Sequence, residues 1–133
     1  MPIVVGFVPT KEGRSALRRA TEEAVLRGEK LVVISSNRGG ADFSGEDAYR
    51  FDQELERVEA ELTTKRVDHE IRGLVRGKDP SEDLVAVADE VGAKLIVIGL
   101  RRRSPVGKLL MGSNAQRILL DANCDVLAVK ADV

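Results

Sequence analysis

Short apolar runs alternate with amphipathic segments along the whole chain. The apolar runs are Ile3–Val8, Leu31–Ser35, Val67–Val75, Lys94–Ile98 and Val126–Val129. The first run, IVVGFV, lacks the alternation of apolar and polar residues that marks a strand with one solvated face. Unbroken runs of this kind are typical of strands that are covered on both faces in a parallel sheet. The pattern therefore predicts five strands, the first two of them covered on both faces.

Between these strands lie four segments with apolar residues at helical spacing. They are Lys11–Arg27, a segment with Phe51, Leu55, Val58 and Leu62 on one stripe, a segment between Asp79 and Gly92, and Ser113–Ala122. Thr10 and Asp79 offer side-chain acceptors at the starts of two helices, and Gly28 and Gly92 can end them. The residues Ser36–Asp47, SNRGGADFSGED, have the composition of a loop. The order of elements is then βαβαβαβαβ.

This order predicts the α/β class. Right-handed crossovers between successive strands give an open parallel sheet with helices on both faces. We expect the residues 1–133 to form one such domain. In open parallel sheets, ligands bind beyond the carboxyl ends of the strands, where the strand order reverses. The residues that follow the first, second and fourth strands are therefore the candidates for a functional site.

The composition argues against several classes of function. A net charge of −1 gives no long-range attraction to nucleic acid or to an anionic membrane, and aromatic residues make up 3% of the chain, too few for a base-stacking platform. No apolar run approaches the roughly 20 residues of a membrane span. Cys124 is the only cysteine, so the chain can form neither an internal disulfide nor a cysteine cage for a metal. We expect a cytoplasmic protein without nucleic-acid or membrane partners.

The segment after the fourth strand, GLRRRSPVGKLLMGSNAQRI, carries the clearest candidate chemistry. Three consecutive arginines lie between Gly99 and a Gly-Ser pair that opens a helix. Since the first amides of a helix lack internal partners and carry positive partial charge, Ser113, Asn114 and Ala115 could bind an anion. In the alternative interpretation, Ser113 only caps the helix, Gly112 fits an unusual backbone angle and the arginines are solvated.

Other motifs and reactive residues add little. The chain has neither a Walker loop nor the dinucleotide fingerprint G-x-G-x-x-G. His69, the only histidine, has no Cys or His near it in the sequence, so we interpret it as structural or as a surface residue. Cys124 is interpreted as a small buried hydrophobe. No acid/base pair is evident, and we expect no enzyme activity.

Two long segments, GKDPSEDLVAVADEVGAKLIVIG and GSNAQRILLDANCDVLAVK, resemble the universal stress protein family, and the resemblance extends over nearly the whole chain. It implies five parallel strands in the order 3-2-1-4-5 and a homodimer formed through the last strand, Val126–Val129. Members that bind ATP share the pattern Gly, two residues, Gly, nine residues, Gly, then Ser or Thr. Gly99, Gly112 and Ser113 match this pattern, whereas Arg102 replaces the second glycine.

The first strand also departs from the ATP-binding members. Val8 stands where they usually have an aspartate, and Thr10 stands at the place of a serine. If the replaced glycine has a positive φ angle, Arg102 costs on the order of 1–2 kcal/mol there, and the loop has changed shape. Arg102 and Arg103 could instead donate charge-assisted hydrogen bonds to phosphate groups. The sequence leaves both interpretations open.

The resemblance and the residues together predict a sensing or regulatory protein that binds ATP or another adenine nucleotide, and Mg²⁺ could accompany ATP. The adenine is expected near Val8, Pro9 and Ser36. The phosphates are expected near Gly99 on the amides of the fourth helix, with these residues: Arg102, Arg103, Gly112, Ser113 and Asn114. A second hypothesis, based on Val8 and Arg102, is a dimeric interaction domain that has lost nucleotide binding.

Overall fold

The computed structural model describes residues 1–37, 43–75, 79–103, 108–109 and 112–131. Its strands are β1 Ile3–Gly6, β2 Leu31–Asn37, β3 His69–Val75, β4 Leu95–Leu100, β5 Arg102–Arg103, β6 Lys108–Leu109 and β7 Asp125–Lys130. Its helices are α1 Lys11–Arg27, α2 Gly45–Thr64, α3 Pro80–Val91 and α4 Ser113–Asp121. No helix in these ranges is both long enough and apolar enough to cross a membrane.

Five of the strands form one parallel sheet in the order β3-β2-β1-β4-β7. Counted along the chain within this sheet, that is the order 3-2-1-4-5, so the expected fold is confirmed. The central strand β1 pairs on both sides, with Ile3 opposite Leu31 of β2 and opposite Leu95 of β4. The strand order therefore reverses between β1 and β4, and a crevice at their carboxyl ends follows from this topology.

The unbroken apolar runs are explained by two cores, one on each face of the sheet. Ile3, Val5 and Phe7 pack with α1 and α2, whereas Val4 packs with α3 and α4 on the opposite face. All four side chains are at most 1% exposed. Because successive strand residues point to opposite faces and both faces are covered, each position is apolar.

Helix α1 begins and ends as its sequence predicts. The Thr10 side chain accepts a hydrogen bond from the Gly13 amide at 3.2 Å, and Gly28 ends the helix with a φ of 64°. Gly92 ends α3 in the same left-handed conformation, with a φ of 65°. Because L-residues with a Cβ rarely adopt this conformation, glycine is the favoured residue at both ends.

Asp79 is the N-cap residue of α3, as predicted, but the expected hydrogen bond from the helix to its side chain is absent. Its Oδ2 instead accepts a hydrogen bond from Arg117 Nη1 of α4 at 3.1 Å. The carboxylate therefore links two helices on the same face of the sheet.

Several strand ends differ from the predictions by one or two residues, and two differences lie next to the carboxyl ends of β1 and β2. The first strand ends at Gly6, because the chain turns where the Val8 carbonyl accepts a hydrogen bond from the Thr10 amide at 2.8 Å. The predicted loop Ser36–Asp47 is shorter, since α2 already begins at Gly45, where the Ser44 and Asp47 side chains form a reciprocal capping box. Residues 38–42 of that loop lie outside the described residues.

A short antiparallel hairpin was not anticipated. Arg102 and Arg103 form β5, which pairs with Lys108 and Leu109 of β6. The backbone of the arginine segment is thus paired with a second strand, where the sequence suggested only a loop. The side chains of 102, 103, 108 and 109 lie outside the described residues.

Candidate functional site

A cavity of about 510 Å³ lies at the carboxyl ends of β1, β2 and β4. The first turns of α1, α3 and α4 complete its walls. Its lining residues are Gly6, Phe7, Val8, Glu12, Gly13, Ile34, Ser36, Pro80, Ser81, Leu84, Ile98, Gly99, Leu100, Arg101, Gly112, Asn114, Ala115 and Ile118. This volume is within the range of small-molecule sites, roughly 300–1,000 Å³.

Aliphatic side chains form much of the cavity wall. Ile34, Ile98 and Leu84 come from β2, β4 and α3, and each is at most 5% exposed. Val8 also lines the cavity and is 42% exposed, so the position at which ATP-binding relatives were expected to carry an aspartate presents an apolar surface here. Aliphatic walls of this kind suit one face of a flat heterocyclic ring.

Three polar residues lie where the end of β2 meets the first turn of α3. The Ser36 hydroxyl of β2 donates a hydrogen bond to Asp83 Oδ2 of α3, and Asp83 is fully buried. Ser81, one helical turn away from Leu84, lines the same cavity and is also fully buried. The sequence prediction included Ser36 but missed Ser81 and Asp83. Their signal was present, since Ser81 and Leu84 share the buried stripe of α3, and so do Asp83 and Val87.

The N-terminus of α4 opens onto the cavity. Gly112 is the cap residue, and the helix has no side-chain cap. Asn114 and Ala115 of the first turn line the cavity, whereas Ser113 does not. Because the first amides of a helix carry positive partial charge and no side chain caps them here, this end of the cavity favours an anionic group.

The interpretation of Ser113 as a helix cap is wrong, because Ser113 is the first residue of the helix and the cap is Gly112. The proposed unusual backbone angle at Gly112 is wrong as well. Its φ is −69°, and a Cβ there would meet no atom within 4 Å. The glycine leaves the entrance to the α4 amides free of a side chain.

Two other glycines let α1 approach the strand ends closely. A Cβ on Gly99 would lie 2.1 Å from the Glu12 carbonyl oxygen, and a Cβ on Gly13 would lie 1.8 Å from the Val8 carbonyl oxygen. Both distances are far below van der Waals contact, so any side chain at either position would displace the start of α1. Gly99 thus lines the cavity and also permits close packing of the backbone.

The three arginines have different positions in the structure. Arg101 lines the cavity, is 71% exposed, and has its Nε 4.0 Å from Glu12 Oε1. Arg102 and Arg103 lie in the hairpin, and their predicted phosphate contacts fall on side chains outside the described residues. A cation at the cavity entrance is therefore provided by Arg101, which the prediction did not include among the site residues.

Pro9 is the one described candidate that faces a different space. It lines a second cavity, of about 640 Å³, which shares Phe7, Val8 and Ser36 with the first. The second cavity is bounded by the start of α2 and by an edge-to-face pair of rings, Phe43 and Phe51, with centroids 6.3 Å apart. The end of β1 therefore separates two adjoining cavities, and Pro9 is on the α2 side.

The cavity lining carries few titratable groups. Among the described residues that line it, Glu12 is the only carboxylate, and the described part of the chain contains no cluster of three or more His, Cys, Asp or Glu side chains that could hold a metal ion. Cys124 does not belong to these lining residues, and burial raises the pKa of its thiol above the ordinary value. A thiol with a raised pKa is a poor nucleophile at neutral pH.

The sequence model of the universal stress protein family matches residues 1–130. The chain belongs to this family. A universal stress protein of Mycolicibacterium smegmatis is 45% identical over 133 residues, which cover 96% of each chain. A universal stress protein structure from Archaeoglobus fulgidus superposes with a TM-score of 0.84 at 41% identity, covering 98% of each chain. A structure of the A. fulgidus universal stress protein in complex with dAMP superposes with a TM-score of 0.78 at 36% identity, again covering 98% of each chain.

Proposed function

We propose that this universal stress protein binds an adenine nucleotide in the 510 Å³ cavity. The observation that carries the proposal is the meeting of aliphatic walls and the uncapped N-terminus of α4 in one cavity at the reversal of the strand order. The dAMP bound by the A. fulgidus relative supports the same ligand class. An adenine ring can pack against the aliphatic walls, and a phosphate can accept hydrogen bonds from the free amides of α4.

In this proposal the adenine lies against Val8, near Ser36, and the phosphate lies at Gly112 and Asn114. Arg101 is placed at the entrance, where its guanidinium can reach an anionic oxygen. A monophosphate suits this arrangement, because one helix N-terminus offers one anion site. ATP with Mg²⁺ would place its further charges toward the hairpin, and of the described lining residues Glu12 alone has a carboxylate that could face the ion.

Thermal unfolding with and without nucleotide tests the proposal. A ligand present at 100 times its dissociation constant adds about 2.7 kcal/mol to the free energy of unfolding, which raises the melting midpoint by on the order of 10 °C for a domain of this size. We expect AMP, dAMP or ATP to produce such a shift at millimolar concentration, and cytidine monophosphate to produce none. An unchanged midpoint with all adenine nucleotides would contradict the proposal.

One observation favours a second candidate function, an interaction domain that no longer binds nucleotide. Val8 presents a half-exposed isopropyl group to the cavity where the family resemblance leads us to expect an aspartate, so a polar partner for the nucleotide is missing there. The loss of a polar contact reduces affinity, whereas the aliphatic walls and the α4 amides remain. The melting experiment separates the two candidates, since only the first gives a ligand-dependent midpoint.

We further propose a binding and regulatory role in the cytoplasm, without rapid turnover of the nucleotide. The support is the scarcity of acid/base groups in the part of the cavity lining that the structure describes, where Glu12 is the only carboxylate. Rapid hydrolysis of ATP needs a positioned base and a coordinated metal. Phosphate release by the purified protein at about 1–10³ s⁻¹, the usual range of enzyme turnover, would overturn this part of the proposal.

A further inference from the structure

Ser81 carries a polar group that the fold itself does not use. The side chain is fully buried in the first turn of α3, and its Oγ has no hydrogen-bond partner among the residues that the structure describes. Buried hydroxyls in native proteins are nearly always paired, because a group removed from water and left unpaired raises the free energy of the folded state. Ser81 also lines the cavity, so a bound molecule can provide the missing partner.

Ser36 presents a complementary group to the same cavity. Its hydroxyl proton is donated to Asp83 Oδ2. A serine hydroxyl has one proton and two acceptor lone pairs, so Ser36 can meet a ligand only as an acceptor. Ser81 keeps its proton and can act as a donor. The α3 side of the cavity thus offers one acceptor and one donor from two neighbouring elements.

We propose that Ser81 and the Ser36–Asp83 pair read the edge of the nucleobase and select adenine over guanine. The inference rests on the proposed function and adds its specificity. The exocyclic amine of adenine is a donor that suits Ser36, and the adjacent ring nitrogens are acceptors that suit Ser81. Guanine carries a carbonyl oxygen in place of that amine, which would place an acceptor against the lone pairs of Ser36. A mispaired buried polar group is the strongest basis for discrimination.

The first test compares Ser81→Ala with Ser15→Ala by titration calorimetry with AMP and with GMP. Ser15 is a matched control, since it is 5% exposed, lies in α1, and lines neither cavity. We expect the wild type to bind AMP at least tenfold more tightly than GMP, Ser81→Ala to lose about tenfold in AMP affinity, and Ser15→Ala to keep it. Equal affinity of the wild type for AMP and GMP would overturn base selection.

The unliganded proteins provide a second measurement. If the Ser81 hydroxyl were a structural group, its removal would lower the melting midpoint. For an unpaired hydroxyl that awaits a ligand, we expect the midpoint of Ser81→Ala without nucleotide to equal or exceed that of the wild type. A lower midpoint together with unchanged AMP affinity would overturn the proposal and leave Ser81 a structural role.

Base analogues locate the contact. In 1-deaza-AMP and 7-deaza-AMP a C–H group replaces one acceptor nitrogen of the ring. If Ser81 donates to that nitrogen, the wild type and Ser81→Ala bind the corresponding analogue equally, because the partner is already absent. Equal losses for both analogues in both proteins would overturn the base contact. A wild type that binds no nucleotide would overturn the proposed function and this inference with it, whereas AMP binding that ignores Ser81 overturns the inference alone.

Discussion

His69 shows how a reactive residue can serve the fold. Its Nδ1 lies 2.6 Å from the Val67 carbonyl oxygen, and its Nε2 lies 2.9 Å from Glu59 Oε2. Both ring nitrogens therefore face acceptors, an arrangement that only the doubly protonated ring satisfies completely. The Val67 carbonyl and, after it, the Glu59 carboxylate raise the pKa of His69 above its ordinary value. This structural role agrees with the interpretation from the sequence, which found no catalytic partner for His69.

At the residue scale we predict a pH-dependent contribution of His69 to stability. Because its pKa is higher in the folded than in the unfolded chain, the contribution is fully present below the unfolded value, near pH 6.5, and is lost as the pH rises through the folded value. The loss in unfolding free energy caused by His69→Gln should therefore be larger at pH 5.5 than at pH 8.5. Urea denaturation of both proteins at the two pH values measures it.

A second variant separates the two groups that raise the pKa of His69. In Glu59→Gln the carboxylate beside Nε2 is absent, while the Val67 carbonyl remains. This variant should keep part of the pH dependence, since the carbonyl contact is the larger influence on the pKa. An identical effect of His69→Gln at pH 5.5 and 8.5 would show that the ring is not charged in the folded protein.

Gly99 has a structural role that becomes visible only in the folded protein. The sequence prediction took it for a glycine that lets a ligand approach. The structure shows that the Glu12 carbonyl oxygen also occupies the space that a Cβ would need. Since residues 12 and 99 are far apart in sequence, no local pattern announces this contact. Gly99 lines the cavity, its contact with a nucleotide stays a prediction, and the close packing against Glu12 is a physical reason for the glycine that the sequence did not show.

At the scale of elements, the N-terminus of α4 determines where an anion can bind. Its cap, Gly112, offers no side-chain acceptor, and its first turn lines the cavity through Asn114 and Ala115. Arg117 of the same helix holds the start of α3 through Asp79 at 3.1 Å and Glu82 at 3.5 Å. The ends of two helices are thereby fixed beside each other at the cavity.

A charge change in the first turn of α4 tests this assignment. Asn114→Asp adds a carboxylate that the helix dipole tolerates, so the unliganded protein should remain as stable as the wild type or become slightly more stable. The same carboxylate repels a bound phosphate. We expect AMP affinity to fall by about tenfold, or about 1.4 kcal/mol, as measured by titration calorimetry.

Gln116→Glu is the matched control. It adds the same charge to the same helix, but residue 116 does not line the cavity. Its effect on AMP affinity should be much smaller, because an exposed charge away from the ligand is screened by water and salt. Equal losses in the two variants would mean that the phosphate does not contact this helix end.

At the scale of the whole molecule, β7 is an edge strand of the parallel sheet. It pairs with β4 on one side, and no described strand of this sheet pairs with its other side. Its residues Val126–Val129 are partly buried by the two cores, on alternate faces. An edge strand with apolar residues invites pairing with another chain. We propose that two copies associate through β7, as the family resemblance implies.

Val129→Lys tests this interface. A lysine at this edge would place two like charges close together in a dimer, so we expect monomers in light scattering, with the circular dichroism of the folded domain retained. Val75→Lys is the control, since Val75 lies on the opposite edge strand β3 and is 45% exposed. It should leave the mass unchanged. A folded Val129→Lys protein that remains dimeric would exclude this interface.

By itself, the sequence determined the four helices, the five strands of the parallel sheet and the class of the fold, but not the hairpin of β5 and β6. Apolar runs and helical periodicity depend on residues a few positions apart, and burial on both faces of a parallel sheet makes the central strands unbroken apolar runs. Only the tertiary structure decided which side chains share the cavity. Ser36 and Asp83 are 47 residues apart, and they meet because β2 and α3 are packed together. Whether the Ser81 hydroxyl finds a hydrogen-bond partner depends on all the residues packed around it. Those residues come from distant parts of the sequence, so no local pattern shows that the hydroxyl is unpaired.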